Sequence, residues 1–543
     1  MYKKSLTTLA ILSSSVALFA TDHIVSSANV FSGFPDSKDD VSVFYTGPAG
    51  TGEAAKARLG EANVNRYYNV KSITFKGAGE TAPGTSTTTN DPSYWNTLGN
   101  YNIDIATADG EYYALKNESQ GYISHQMGAI TIKNSVKGST ATAIIDGGNR
   151  PFVFNGGGNI DQTPTLNIQT NTKLTTTSTG LQALYFHNAT RLNVTNNSTF
   201  TIDATTRIGN TASGGAYADI QPPIIYVEKG STLITNKAVS IESDTNLTVD
   251  GKWTIYGATT FKNTVKSQIS AIDLMAGEIK VLENTSVYVR SFFHGTGNTL
   301  TVAGTFETGS ATNFAQTVIS NGGVVKQTSG DSSTLQRTLT VNNGGTFSTC
   351  GNLQISGGKT TDPSARWAKI TIEKGAKFYV DGTTQWGTSV VLDNGELVLK
   401  QENAMTTSTG EFLTVTGTID STGAIMRIEA DQTFKKITAD TKNIDIYLST
   451  TAEAILTSDF SVKNGAKIVI HDFAEDRICV GNEIQNPNNV FEAYQTINGE
   501  EVKIQNLFIN NGWLSAVAVP EPAEWAMILG GIALALAIYR RKK

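Results

Sequence analysis

Between about Asn29 and Ala518 a loose unit recurs: a short alternation of apolar and polar residues, a turn carrying Gly or Asn, and a second short alternation. Examples are Ile225-Tyr-Val-Glu-Lys-Gly230, Leu247-Thr-Val-Asp-Gly251, Leu300-Thr-Val-Ala-Gly304, Leu339-Thr-Val-Asn-Asn-Gly344, Ile370-Thr-Ile-Glu-Lys-Gly375, Leu413-Thr-Val-Thr-Gly417 and Phe460-Ser-Val-Lys-Asn-Gly465. An apolar residue returns after the turn, as at Trp253, Phe306, Phe347, Phe378, Ile419 and Ile468. A period of two turns one face of each strand inward, and Gly and Asn supply the positive-φ turns between strands. The third residues of the seven units, Val227, Val249, Val302, Val341, Ile372, Val415 and Val462, are separated by 22, 53, 39, 31, 43 and 47 positions. Several steps lie near one or two multiples of the low twenties, so the repeat is irregular.

Such strands bury their apolar face only by stacking coil on coil. The expected fold class is therefore all-β, an elongated right-handed parallel β-helix (solenoid) over residues 121–470. Serial β-sandwich domains are the alternative, since they also give short strands with turns every roughly 8 to 12 residues. Residues 29–120, with Tyr67, Tyr68, Asn69 and a polar loop from Gly77 to Pro92, read as an N-terminal cap. Residues 471–516, with Phe491, Tyr494, Leu507, Phe508 and Trp513, read as capping strands over an edge left unpaired by the last coil.

The two ends follow different rules. Met1-Tyr-Lys-Lys4 leads into an uncharged stretch from Leu6 to Ala20, the pattern of a secretory signal peptide within residues 1–28, with cleavage after Ala20 or after Ala28. From Trp525 to Tyr539 the chain is again uncharged, and Arg540, Arg541, Lys542 and Lys543 follow. Fifteen helical residues rise about 22 Å against a hydrocarbon core of roughly 30 Å, so a single short C-terminal transmembrane helix is expected, with snorkelling cations completing its length. The cations act as membrane-stop residues on the cytoplasmic side, which puts the body outside after export by the Sec machinery.

Charged residues are 17% of the chain and the net charge of −6 is spread thinly, without a basic stripe before the last four residues. Nucleic acid is excluded as a partner on that ground, because phosphate binding needs clustered positive charge. The run Asp36-Ser-Lys-Asp-Asp40 reads as a solvated loop.

Just before the apolar run stands Val519-Pro-Glu-Pro-Ala523. Pro520, Glu521 and Pro522, a short apolar helix and a basic end, in that order over residues 517–543, resemble the PEP-CTERM sorting signal of Gram-negative bacteria. The resemblance implies an exosortase, a membrane enzyme with a cysteine nucleophile, that cuts near the motif and passes the body from an inner-membrane intermediate to the cell surface or an extracellular polysaccharide matrix. Pro520, Glu521 and Pro522 are then residues of a substrate. Each proline disfavours helix in the residue before it, which suits an extended strip threaded through an enzyme cleft. The repeats also resemble, by composition and spacing, the passenger regions of autotransporter and adhesin-type proteins.

No catalytic, cofactor or metal site is expected. His23, His125, His187, His294 and His471 are scattered without metal-ligand spacing and read as surface or turn residues. Cys350 and Cys479 are 129 positions apart; at about 22 residues and about 4.8 Å per coil they lie some 28 Å apart, too far for a disulfide. Asp146, Asp250 and Asp381 each precede Gly and read as turn residues. Gly156, Gly157 and Gly158 lack the Gly-Lys-Ser/Thr ending of a phosphate loop. The sequence thus points to an exported structural or adhesive surface protein, with a polysaccharide-binding or polysaccharide-degrading β-helix protein as the alternative.

Overall fold

In the computed structural model the described residues are most of 21–516 and the helix at 522–541. Residues 1–20, 26–39, 48–55, 61–66, 156–162, 210–221, 356–369, 407–412, 417–423, 517–521 and 542–543 lie outside the description, as do shorter stretches at turns. By its internal contacts the chain divides into two units, residues 1–298 with 304–306 and residues 299–303 with 307–543. The fold is all-β with large parallel sheets, plus one α-helix among the described residues.

Through the middle of the first unit, three parallel ladders each take every third strand in chain order. Thr165–Gln169, Arg191–Val194, Ile224–Val227 and Asn246–Val249 pair in succession. Lys173–Thr176, Thr199–Ile202, Thr232–Thr235 and Lys252–Ile255 form the next ladder. Arg150–Phe154, Leu181–Phe186, Thr205–Ile208, Val239–Ile241 and Thr259–Phe261 form the third. Alternation puts the same kind of residue inward on each rung. Ile168, Val194, Val227 and Val249 lie opposite one another and are buried, as do Phe154, Phe186, Ile208, Ile241 and Phe261. Phe154 and Phe186 stack with centroids 5.0 Å apart. Burying each such side chain stabilises the fold by about 1.5–3 kcal/mol.

The corners repeat as faithfully as the strands. Asn171, Asn196 and Asn197 hold positive φ, and the next residues but one or one, Thr172 and Ser198, turn small hydroxyl side chains inward, as does Ser231. The Thr172 N–H donates to Ser198 Oγ at 3.1 Å and the Ser198 N–H to Ser231 Oγ at 3.2 Å, so buried corner amides find partners on the following rung. Gly251 occupies the same corner one rung later, where a Cβ would collide with the Ser231 and Glu228 carbonyl oxygens.

Within residues 29–120, read from the sequence as an N-terminal cap, strands pair in parallel as well. Thr21–Val25, Asp40–Tyr45, Ser72–Lys76, Glu111–Asn117 and Thr142–Asp146 already pair in parallel, with Val43, Phe75 and Ile145 buried. Long connections between these strands, 32 residues from Val41 to its partner Ile73 and 42 from Ile73 to Leu115, hide the period in the sequence. The solvated-loop reading also fails at Asp40, which opens a strand and accepts hydrogen bonds from Ser72 Oγ at 2.7 Å and from the Tyr112 hydroxyl; residues 36–39 lie outside the description.

In the second unit Thr299–Val302, Gln316–Ile319, Leu339–Val341, Ile370–Ile372, Val390–Leu392, Leu413–Thr416, Gln432–Asp440 and Ala454–Lys463 form one parallel ladder. A second runs through Lys377–Val380, Glu396–Leu399, Ala424–Ile428, Ile444–Leu448, Ile468–His471 and Phe491–Ile497. Pairing then turns antiparallel: Phe491–Ile497 with Glu500–Lys503, and Leu507–Asn510 with Trp513–Ala516. Sandwich domains are built from antiparallel sheets, so the parallel ladders of both units depart from the serial-sandwich alternative.

The helix Pro522–Arg541 contains the expected span at 525–539. Its described side chains are Met527 and those of 529–541, and among the described residues no helix is long and apolar enough to cross a membrane.

Inward and outward positions on one strand should respond differently to truncation. Phe186→Ala removes a buried ring and is expected to cost about 3–5 kcal/mol, whereas Tyr185→Ala on the outer face should cost about 1 kcal/mol or less. Urea denaturation of the two variants checks this; equal midpoints would refute the assignment of faces.

Candidate functional site

Of the sequence-predicted sorting residues, Pro520, Glu521, Lys542 and Lys543 lie outside the described residues, and Pro522 is the first residue of the helix. Arg540 and Arg541 occupy its last turn and are exposed. Met527, Leu529, Ile532, Leu534, Leu536 and Ile538 are also exposed, each by more than half. At 100° per residue these six, with the exposed alanines between them, leave no polar stripe on the helix before Tyr539.

One polar grouping in the second unit is not among those the sequence pointed to. Register aligns Arg427, Tyr447 and His471 on successive rungs, and the ladder brings Tyr494 next. The His471 ring lies between Tyr447 and Tyr494, with centroids at 4.2 and 5.8 Å and planes tilted by 7° and 14°. The Arg427 guanidinium sits 4.6 Å over Tyr447, and Lys503 Nζ 6.0 Å over Tyr494. The column thus reads cation, ring, ring, ring, cation, and each ring face is covered by its neighbour in the column.

Carboxylates flank the column. His471 Nε2 is 3.0 Å from Asp445 Oδ1 and its Nδ1 is 2.7 Å from Glu501 Oε1. Burial opposes a charge on the ring, but hydrogen bonds to Asp445 and Glu501 and their negative charge outweigh it and raise the His471 pKa above the ordinary histidine value. One rung system earlier, Glu396 lies between Lys377 Nζ at 3.0 Å and Arg427 Nε at 2.6 Å. Burial would keep Glu396 protonated, yet the hydrogen bonds from Lys377 and Arg427 prevail and hold its pKa below the usual value. A carboxyl so held is not a proton donor at neutral pH, which a glycosidic general acid has to be.

The other histidines correct the reading of them as surface or turn residues. His125 is fully buried in the first unit: its Nε2 donates to the Gly128 carbonyl at 2.9 Å, which leaves Nδ1 to accept from the Thr97 hydroxyl at 2.9 Å. Burial lowers its pKa to about 4, the neutral ring this bonding requires. His294 is likewise buried, bonded to the Asn298 carbonyl at 2.8 Å and lowered by burial to about 4. Both occupy inward positions near strand ends, where a ring fits the apolar core once its nitrogens are satisfied. His187 is lowered by burial and by the Arg207 charge, and the His23 side chain lies outside the description.

Asp146 behaves as a turn residue, its Oδ1 accepting from the Gly148 N–H at 3.0 Å, and Asp250 is exposed at a bend; Asp381 and Gly156, Gly157 and Gly158 lie outside the described residues. Cys350 and Cys479 are half-buried thiols. Among the described residues no group of three or more His, Cys, Asp and Glu side chains is arranged to hold a metal ion.

The lowered pKa of His125 fixes the sign of a pH dependence. Below about pH 6.5 the unfolded chain takes up a proton that the folded chain refuses, so stability present above that pH declines as pH falls towards about 4. This ring should cost the first unit on the order of 3 kcal/mol over that fall, and because His294 of the same unit is lowered to about 4 as well, Thr97→Val with His125→Leu should cut the slope between those limits by about half. Calorimetric melts across that window test it, and an unchanged slope in the double variant would refute the assignment. Comparison of the chain with protein-family models, with curated proteins and with solved structures finds no match.

Proposed function

We propose that the chain is an exported structural or adhesive protein of the cell surface or extracellular matrix, whose body is a right-handed parallel β-helix and whose tail is a membrane-inserted processing signal. The observation that carries the reading is the helix Pro522–Arg541, apolar around its described length, exposed, and closed by Arg540 and Arg541. A helix without a polar face belongs in a protein core or in lipid, and this one has no packing partner for Met527, Leu529 or Leu534 among the described residues. Its uncharged part, residues 525–539, rises about 22 Å, so a span of the roughly 30 Å hydrocarbon core would need Arg540 and Arg541 to snorkel. Cations at 540–543 favour the cytoplasmic side, which leaves the β-rich body outside.

The interleaving of ladders supports the β-helix. Strands that pair with the third strand onward describe a coil of three sides, and parallel crossovers of this kind are right-handed in about 98% of cases. The motif Pro520, Glu521, Pro522, whose last residue opens the helix, supports recognition by an exosortase-type enzyme. A polysaccharide-binding or polysaccharide-degrading role draws no support from the Tyr447–His471–Tyr494 column, whose ring faces are covered and whose cations are paired or stacked.

Two outcomes are expected in the native host. Replacing Pro520, Glu521 and Pro522 together by Ala should leave export intact while uncut chain accumulates in the inner membrane; wild-type surface protein that still carries Arg540 to Lys543 by mass spectrometry would refute processing. At the other end the mature protein should begin at Thr21, because cutting after Ala28 would discard the strand Thr21–Val25 that pairs with Val41–Tyr45. N-terminal sequencing decides between the two sites.

A further inference from the structure

The imidazole of His471 stands where parallel pairing ends. It belongs to the strand Ile468–His471, and the carboxylates at its two nitrogens come from different places: Asp445 from the preceding rung, Ile444–Leu448, and Glu501 from the antiparallel strand Glu500–Lys503. A carboxylate only accepts, so two carboxylates at 3.0 and 2.7 Å call for two N–H donors, and only the imidazolium has two. The neutral ring has one.

We propose that His471 is a protonation-controlled latch, which as the imidazolium ties the strand Glu500–Lys503 to the parallel ladder and on losing its proton lets the Glu501 arm go. Asp445 keeps the remaining N–H because its side chain is the less exposed of the two, 26% against 48%, and costs more to leave without a partner. The other groups facing the ring do not replace the lost contact. Tyr447 and Tyr494 cover its faces, Arg427 is spent on Glu396 and Tyr447, Lys503 pairs with Glu492 at 2.8 Å, and Asp472 accepts from Thr496 at 2.7 Å.

The strand on the far side of the latch is the element least able to hold by itself. All four residues of Glu500–Lys503 are exposed, and among the described residues the strand pairs only with Phe491–Ile497. Its release would bare that edge, a row of backbone donors and acceptors of the kind that pairs with a strand of another chain. The raised pKa of His471 agrees in sign: the contact is fully present below the ordinary histidine range and is lost as pH rises through the folded value.

Hydrogen–deuterium exchange of the full-length chain in mild detergent tests the latch, with rates divided by the intrinsic rate at each pH. Between about pH 5.5 and about pH 8.5, either side of the histidine range, protection of Glu500–Lys503 should fall about ten-fold while Ile444–Leu448 stays unchanged as the fold control. His471→Gln and Glu501→Gln should each abolish the pH dependence in Glu500–Lys503. A wild-type protection that is flat with pH overturns the proposal, as does a full pH-dependent fall retained in either variant. Should His471→Gln lose protection at Ile444–Leu448 and so fail to fold, Glu501→Gln decides, because that side chain lies on an exposed strand.

Discussion

The structure rests on parallel backbone pairing that keeps register from rung to rung, apart from local shifts such as that between Arg150 and Phe152. Because side chains alternate with a period of two, a slip of one residue would turn every inward side chain outward. Register therefore forces like onto like: Phe154 under Phe186, Val194 beside Val227, Thr172 beside Ser198. The outer face obeys the same rule, and there it creates amide rows. Asn102 donates to Asn69 at 3.0 Å and Asn193 to Asn167 at 2.8 Å, each pair on neighbouring rungs. Amide-to-amide stacking of this kind recurs wherever identical strands stack in register.

That constraint also decides what each histidine can be. His125 points inward, where its hydrogen-bond partners are a carbonyl and a hydroxyl, and burial lowers its pKa. His471 is also nearly buried, at 8% exposure, but the carboxylates of Asp445 and Glu501 reach its two nitrogens and raise its pKa. The two rings share a chemistry and differ in the sign of their pKa shift. Rung position sets the difference, because it fixes which side chains arrive above and below.

Much of the repeat was legible in the sequence, and its irregularity has a physical cause. On the ladder of the second unit, the step of 39 from Val302 to Val341 passes through Ile319, that of 43 from Ile372 to Val415 through Leu392, and that of 47 from Val415 to Val462 through Ala439. Each step is two coils. The intermediate rungs escaped a search for Leu-Thr-Val because the chain uses other residues of suitable shape inward, such as buried Thr317 in place of Leu. The step of 31 from Val341 to Ile372 is a single pairing lengthened by its connection. The His471 column was not legible, since Asp445, His471 and Glu501 are far apart in the chain and only the register, including one antiparallel turn, brings them together. A sequence signal did exist in the spacing of Tyr447, His471 and Tyr494, near one coil each, but it is visible only once the coil length is known.

A stack of parallel rungs has no natural end, because its last rung presents the same unpaired edge as every rung before it. This chain ends the stack by reversing direction. Phe491–Ile497 accepts the final parallel pairing on one edge and an antiparallel strand on the other, and the free edge that remains, Glu500–Lys503, carries two glutamates and a lysine that discourage further pairing. The second hairpin closes nearby, with Leu507 paired to Ala516 and the Ala516 N–H donating to Glu475 at 2.9 Å. Among the described residues no strand pair involves anything beyond Ala516. A cut between Ala516 and the helix would then remove none of the described strand pairing.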